Sequence, residues 1–342
     1  MKIIGGPFSE IPMLNEKNIL EVDTNKIYFV SSGRVALYLI LDSILKERTS
    51  SNIIWLPVYY CDVGWKVASI LKFDIRFYDV VFEAGDYHTD LSMVTSGDIV
   101  LFLNYYGIEQ IDILKNVQMA KKKGCIVIED VTQSLLSEKK SNIADYYFAS
   151  LRKWTGVITG GVIYRGILKT KINKLTNIEL VRYYKSFIKE YRDYLNSGLG
   201  NRIYYSNCFY KTELMIDSDY VNHSMDEKEL DEIQMWDKNY VIEKRVQNAN
   251  FLIDNLKTKD VLMFDNLKKG DVPFFLPIYI KNRNIVCDYL DSKNIYCSIL
   301  WQRPSNCRAS CNLYEHEFGL VCDERYTIDD MYRMISALNE VV

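Results

Sequence analysis

Nowhere in the 342 residues do apolar side chains run for the ~20 positions that span a bilayer. No block of like charge is long enough to form a tail. Lysine and arginine number 42 against 45 acidic residues, a formal charge of −3. That balance offers no basic surface for nucleic acid or for a membrane. Residues 1–10 lack the basic start and apolar core of a secretory signal, so a cytoplasmic protein is expected.

A disulfide framework is missing too, because eight cysteines are too few for a scaffold in a chain of this length. Cys61, Cys125, Cys208, Cys287 and Cys297 are scattered, several in apolar runs as small buried hydrophobes. Cys307, Cys311, His316 and Cys322 lie closer together, but their spacing fits no standard zinc finger, and no metal is expected. The sequence holds neither an internal repeat nor a low-complexity linker. Its 26 tyrosines and 14 phenylalanines have no basic patch beside them. They read as packing and interface residues, not as a platform for nucleic acid.

What is present is an alternation of strand-like and helix-like segments. The pattern predicts strands at 27–30, 52–56, 74–78, 98–104, 125–129, 146–149 and 161–165. Helices are predicted at 35–46, 63–71 and 111–123. Apolar runs this short, separated by helices, argue for an α/β fold around a mostly parallel sheet covered on both faces. Pro57 is read as the stop of the second strand. Beyond Arg165 the texture turns helical, over 173–196 and again over 226–256. A smaller α/β pattern closes the chain, with strands at 274–280 and 296–300 and helices at 284–292 and 328–341. The expected division is 1–245 for a large domain and 246–342 for a small one.

Three short stretches carry the chemistry. Ser31-Ser32-Gly33-Arg34 follows a strand and opens a helix, a geometry that holds a phosphate on backbone N–H groups; it serves equally as an ordinary N-cap. Glu129-Asp130 ends the apolar Ile126-Val127-Ile128, where α/β proteins place their ligands. A carboxylate there can pair with a protonated ring nitrogen, or merely cap the next turn. Lys153 follows Ser150-Leu151-Arg152 and precedes Gly160-Gly161. Held in an apolar, cation-rich pocket beside Arg152, it would lose its proton readily and attack an aldehyde. Most lysines, however, are solvated surface residues. Ser150 can donate to a phosphate or be no more than a small residue at a strand end.

The order and spacing of these stretches resemble the fold type I pyridoxal-phosphate (PLP) enzymes, and among them the DegT/StrS-type sugar aminotransferases. Ser31-Ser32-Gly33 with Val35-Ala36-Leu37, Ile54-Trp55-Leu56-Pro57-Val58-Tyr59, Tyr78-Asp79-Val80 and Asn104-Tyr105-Tyr106-Gly107 carry the likeness. So do Val127-Ile128-Glu129-Asp130 with Gln133, and the Lys153 segment. The likeness covers 27–165, with a weaker echo over 273–334. It implies that Lys153 holds PLP as a Schiff base and shuttles a proton, and that Asp130 pairs with the pyridinium nitrogen. Gln133 would lie near the ring oxygen. Ser32, Gly33 and Ser150 would hold the phosphate. Tyr60 or Cys61 would stack on the ring, the aromatic Tyr60 suiting it better.

The chain also departs from its relatives. Arg34 stands where a small hydroxyl residue is usual, and either meets the phosphate or points away. Asn222 resembles an asparagine that reaches the neighbouring subunit's cofactor. Trp301-Gln302-Arg303-Pro304 replaces a histidine-containing loop, and Arg303 would meet a substrate carboxylate or phosphate, or remain a solvated arginine. The resemblance implies a homodimer that transfers an amino group from glutamate to a nucleotide-linked keto-sugar. Two alternatives stay open: another PLP reaction on this fold, such as dehydration or transfer to a non-sugar ketone, and a non-catalytic PLP-binding protein. Sugar dehydratases of this family carry histidine in place of the lysine, so Lys153 argues against that branch.

Overall fold

A computed structural model describes residues 2–14, 27–47, 52–138, 140–218, 223–305 and 307–342. In chain order, β1 (Ile27–Val30) leads to α1 (Gly33–Glu47), and β2 (Ile53–Pro57) to α2 (Val63–Ile70) and β3 (Asp74–Tyr78). A hairpin of β4 (Val80–Glu83) and β5 (Asp86–Thr89) precedes β6 (Ile99–Leu103), α3 (Ile111–Lys122) and β7 (Ile126–Asp130). Then come β8 (Tyr146–Ser150), β9 (Gly161–Tyr164), α4 (Ile178–Ser197), α5 (Arg202–Asp217) and α6 (Glu227–Gln234). The chain closes with α7 (Lys238–Asn255), β10 (Leu276–Tyr279), α8 (Arg283–Ser292), β11 (Glu317–Leu320) and α9 (Ile328–Leu338). Seven strands form the main sheet in the order β1-β9-β8-β7-β6-β2-β3.

The chain divides into two compact units. The first, Met1–Thr49 with Tyr146–Asp237, holds β1, β9 and β8, paired antiparallel. Gly161 is opposite Val30 on one side and Ser150 on the other. The ends of three segments therefore meet there. Helix α1 presents Val35, Ala36, Leu37, Leu39, Ile40 and Ile44 as buried residues and packs on β8 and β9. Helices α4 and α5 join through aromatic edges, with Phe209 4.7 Å from Tyr191 and 5.1 Å from Phe187 between ring centres. Such edge-to-face pairs add about 0.5–1.5 kcal/mol beyond their buried area.

The second unit, Ser50–Asp145 with Lys238–Val342, holds the parallel strands β7, β6, β2 and β3. Every residue of β6 is buried, as expected of a strand covered on both faces. Gly124 ends α3 in the left-handed region, φ +82°, and its N–H closes on Lys121 O at 3.0 Å. In the C-terminal part, β10 and β11 pair antiparallel. Arg245 is fully buried there with Glu324 at 3.0 Å and donates to the carbonyls of Pro273 and Phe274. Those two carbonyls take up the Nη1 end of a desolvated guanidinium.

Most predicted elements are present within two or three residues, and the exceptions have physical causes. Pro57 is the last residue of β2 and does not stop the strand before itself. Residues 296–300 form no strand; only Ser298 bridges Gly319, and the strand beside β10 is β11. The β4–β5 hairpin escaped because its turn is Ala84-Gly85, both at positive φ, without an Asn-Gly or Asp-Gly signal. Helix α5 escaped because its apolar residues fall on two sides, which blurs the one-sided periodicity of a surface helix. Among the described residues no helix is long and apolar enough to cross a membrane.

Candidate active site

The first unit gathers Ser32, Gly33, Arg34, Ser150 and Lys153. Ser32 Oγ accepts the Val35 N–H at 3.1 Å and its carbonyl accepts the Ala36 N–H at 3.0 Å. The capping role is therefore real, and one first-turn N–H is used by it. The turn is also exceptionally close to its neighbours. A Cβ on Gly33 would stand 3.1 Å from Ser150 Cβ, and one on Gly161 would strike Ser32 O at 2.1 Å. Gly160 N–H donates to Ser31 O at 2.8 Å. The Ser31 hydroxyl is buried with no hydrogen-bond partner among the described residues. Ser150, also buried, makes no side-chain cap for the 3₁₀ turn Leu151–Lys153 that follows it.

That turn is anchored by Trp154, wholly buried, and by Thr155 Oγ1 donating to Leu151 O at 2.9 Å. Lys153 ends it with an exposed side chain. An apolar pocket was expected here, and in the single chain Leu151 is the buried residue of the turn while Lys153 is exposed. The cation-rich surroundings are as expected. Arg152 grips Glu213 of α5 with two bonds, 2.5 and 2.8 Å. Burial raises the Glu213 carboxyl, but the cations of Arg152, Lys153 and Arg34 outweigh it and bring it down to about 2. Arg34, 5% exposed, is ion-paired with Asp217 of the same helix. The Nη2 end of the guanidinium is thus directed at α5.

The second unit holds Tyr60, Asp130, Gln133 and Arg303. Successive residues of a strand point to opposite faces, which separates Glu129 from Asp130. Glu129 accepts from Asn104 Nδ2 at 2.9 Å and from Ser141. Asp130 accepts the Tyr60 hydroxyl at 2.6 Å on Oδ2 and the Thr132 N–H at 2.8 Å on Oδ1. Burial raises its carboxyl, against the pull of those donors. Gln133 Oε1 accepts the Tyr106 N–H at 2.8 Å, which leaves its amide NH₂ as the donor end. Arg303 is turned onto its own loop. It donates to Ala309 O and Cys311 O at 3.1 and 3.0 Å and lies 4.8 Å above the Tyr314 ring. Asn222 lies outside the described residues.

One group of this unit went unread in the sequence. Glu317 of β11 is fully buried and accepts the hydroxyl of Tyr59. Burial pushes its carboxyl up to about 7, opposed by the bonds from Tyr106 and Tyr59 and by Arg283. Tyr59 in turn meets Trp301 edge-on, 4.9 Å between ring centres, and Trp301 stands 6.2 Å from Tyr60. The available signal was a carboxylate heading the apolar run Phe318-Gly319-Leu320.

No family model matches this chain, and no curated protein matches it in sequence. Solved structures do match its fold. A DegT DnrJ EryC1 StrS aminotransferase from Brucella abortus is 14% identical, with 92% of this chain and 85% of that one covered and a TM-score of 0.60. The aminotransferase TlmJ from Streptoalloteichus hindustanus is 12% identical, with 98% of each covered and a TM-score of 0.65. A GDP-4-keto-6-deoxy-D-mannose-3-dehydratase from E. coli, with bound hydrated PLP, is 14% identical over 91% of this chain and 87% of that one, TM-score 0.62. The chain thus has the fold of the enzymes its sequence resembles.

Proposed function

We propose that this chain is a PLP-dependent aminotransferase that moves an amino group from glutamate to a nucleotide-linked keto-sugar, acting as a homodimer. The observation that carries the reading is the cradle in the first unit. Gly161 leaves no room for a Cβ against Ser32 and Gly33 leaves little against Ser150, and the 3₁₀ turn after Ser150 ends in an exposed lysine. The donor set fits the cofactor. A helix N-terminus with three nearby hydroxyls, one buried and unpartnered, suits a phosphate dianion. A buried, acceptor-only carboxylate at Asp130 suits a protonated pyridine nitrogen.

When bound, PLP supplies an electron-poor ring that accepts the electron pair released at the substrate carbon. Everything else falls to the chain. Ser32, Gly33 and Ser150 would bind the phosphate. Asp130, kept in place by Tyr60 and Thr132, would keep the ring nitrogen protonated, and the Gln133 amide would donate to the ring oxygen. Lys153 Nζ would take the proton from the donor's α-carbon and return it on the acceptor half of the reaction. That amine is also why dehydration, the activity of the similar E. coli dehydratase, is the weaker reading.

Absorbance tests the proposal. Chain mixed with PLP should show a visible band that is absent in Lys153→Ala, and L-glutamate should bleach it. Loss of the proton-transfer lysine should cut turnover by about 10²–10⁴-fold. A band that survives Lys153→Ala overturns the lysine assignment. Bleaching by another amino acid but not by glutamate overturns the donor.

A further inference from the structure

Lys153 closes the 3₁₀ turn Leu151–Lys153, and a lysine carries its amine on a flexible four-carbon stem. The aim of that amine therefore depends on how firmly the turn itself is held. A 3₁₀ turn has poorer hydrogen-bond geometry than an α-helix, so outside contacts must hold it. One edge is fixed by the sheet and the core. Leu151 N–H donates to Gly160 O at 2.8 Å, Trp154 N–H donates to Leu151 O at 2.9 Å, and both side chains are buried. Of the two residues between, Arg152 is half-buried and Lys153 exposed, so the core does not hold that edge.

Glu213 of α5 holds it instead. Its carboxylate accepts from both ends of the Arg152 fork, Nη1 at 2.5 Å and Nη2 at 2.8 Å. Two parallel bonds fix a guanidinium in direction as well as in distance. Burial opposes the ionisation of Glu213, but Arg152, Lys153 and Arg34 outweigh it, so the pair is charged at neutral pH. The helix behind the carboxylate is well anchored. Thr212, beside it, is buried and donates from Oγ1 to Cys208 O at 2.9 Å. Tyr205, Cys208 and Ile216 are buried too, and α5 packs on α4. One turn beyond Glu213, Asp217 is ion-paired with Arg34 in the first turn of α1. Glu213 thus stands on a helix tied to both α4 and α1.

We propose that Glu213 is a positioning residue, which through its fork to Arg152 fixes the turn that aims the Lys153 amine. The proposal rests on the reading of Lys153 as the cofactor lysine. Glu213 acts through Arg152, and its part is to keep the backbone at residue 153 from drifting. A misplacement of about 1 Å at a reacting group costs on the order of a hundredfold in rate. What matters is the fork and not the positive charge alone. A lysine at position 152 would keep that charge and lose the two-bonded geometry.

Stopped-flow absorbance on the full chain mixed with PLP tests this, together with amide hydrogen exchange on the apo-protein. Arg152→Lys and Glu213→Gln should each slow the limiting rate at which the visible band grows, by about ten- to a hundredfold. The half-saturating PLP concentration should stay as in the wild type, because Ser32, Gly33 and Ser150 are untouched. The double variant should be no slower than the worse single one, since both changes break the same fork. Without PLP, exchange at the amides of 151–155 should quicken in both single variants, and exchange in β1 should not. A wild-type limiting rate in either variant, a shift in half-saturation in its place, additive losses or unchanged exchange over 151–155 would each overturn the positioning role. A band that depends on Lys153 but grows at the wild-type rate in both variants refutes that role and leaves the cofactor reading standing. A band that survives Lys153→Ala refutes the cofactor reading, while exchange over 151–155 still reports whether the fork holds the turn.

Discussion

The phenol of Tyr60 and the carboxylate of Asp130 form a 2.6 Å hydrogen bond in a place where both are buried. Each explains the other. A buried carboxylate needs donors, and a buried phenol needs an acceptor. Removing the hydroxyl leaves Asp130 with the Thr132 N–H, on the other oxygen, as a donor. Tyr60→Phe should therefore cost the apo-protein about 1–3 kcal/mol, the usual penalty for a stranded buried acceptor. Urea unfolding measures it; a loss below a few tenths of a kcal/mol means that water or another group supports Oδ2.

Glu317 should give the fold a pH dependence of unusual sign for a carboxylate. Its carboxyl lies at about 7 in the folded chain against an ordinary 4.5. Below pH 4.5 it is protonated in both states. Between about 4.5 and 7 the unfolded chain releases a proton that the folded chain keeps, so stability falls as pH rises, by at most about 1.4 kcal/mol per unit. Denaturation midpoints across that window should show the decline, and Glu317→Gln should flatten it while keeping an acceptor for Tyr59. An unchanged slope in the variant assigns the titration elsewhere.

Two glycines should respond very differently to a methyl group. At Gly161 the new Cβ meets the Ser32 carbonyl at 2.1 Å, backbone against backbone, with no flexible end to yield. Gly161→Ala should cost about 3 kcal/mol or prevent folding. At Gly85 the Cβ meets nothing within 4 Å and only the positive φ of +78° is strained, for about 1–2 kcal/mol. Equal losses for the two in thermal or chemical unfolding would show that the Ser32–Gly161 approach can yield to a methyl group.

The alternating core was legible because each segment states its own periodicity. Ile99–Leu103 is apolar throughout and is buried throughout; Ile126–Asp130 ends in the carboxylate that the strand presents. The cradle was legible for a related reason. Small residues and hydroxyls at a strand end leave few local alternatives, and the structure shows the Ser32 cap bond formed beside a crowded turn. Helix α5 and Glu317 were not legible in this way. Their significance depends on partners 61 to 258 positions away in sequence, and no local pattern encodes that.

What the sequence determined by itself, then, is the set of elements, the identity of the candidate lysine and carboxylate, and the Ser-Ser-Gly turn at the start of α1. These follow from short-range sterics and from the two side-chain periodicities of helix and strand. Tertiary structure alone decided that Lys153 is exposed, that Arg34 turns to Asp217, that Arg303 folds onto its own loop, and that Glu317 is buried with Tyr59. Each of those outcomes is a choice among partners for a charge. Coulomb attraction and desolvation depend on distances through space, and distances through space are set by the fold and not by proximity along the chain.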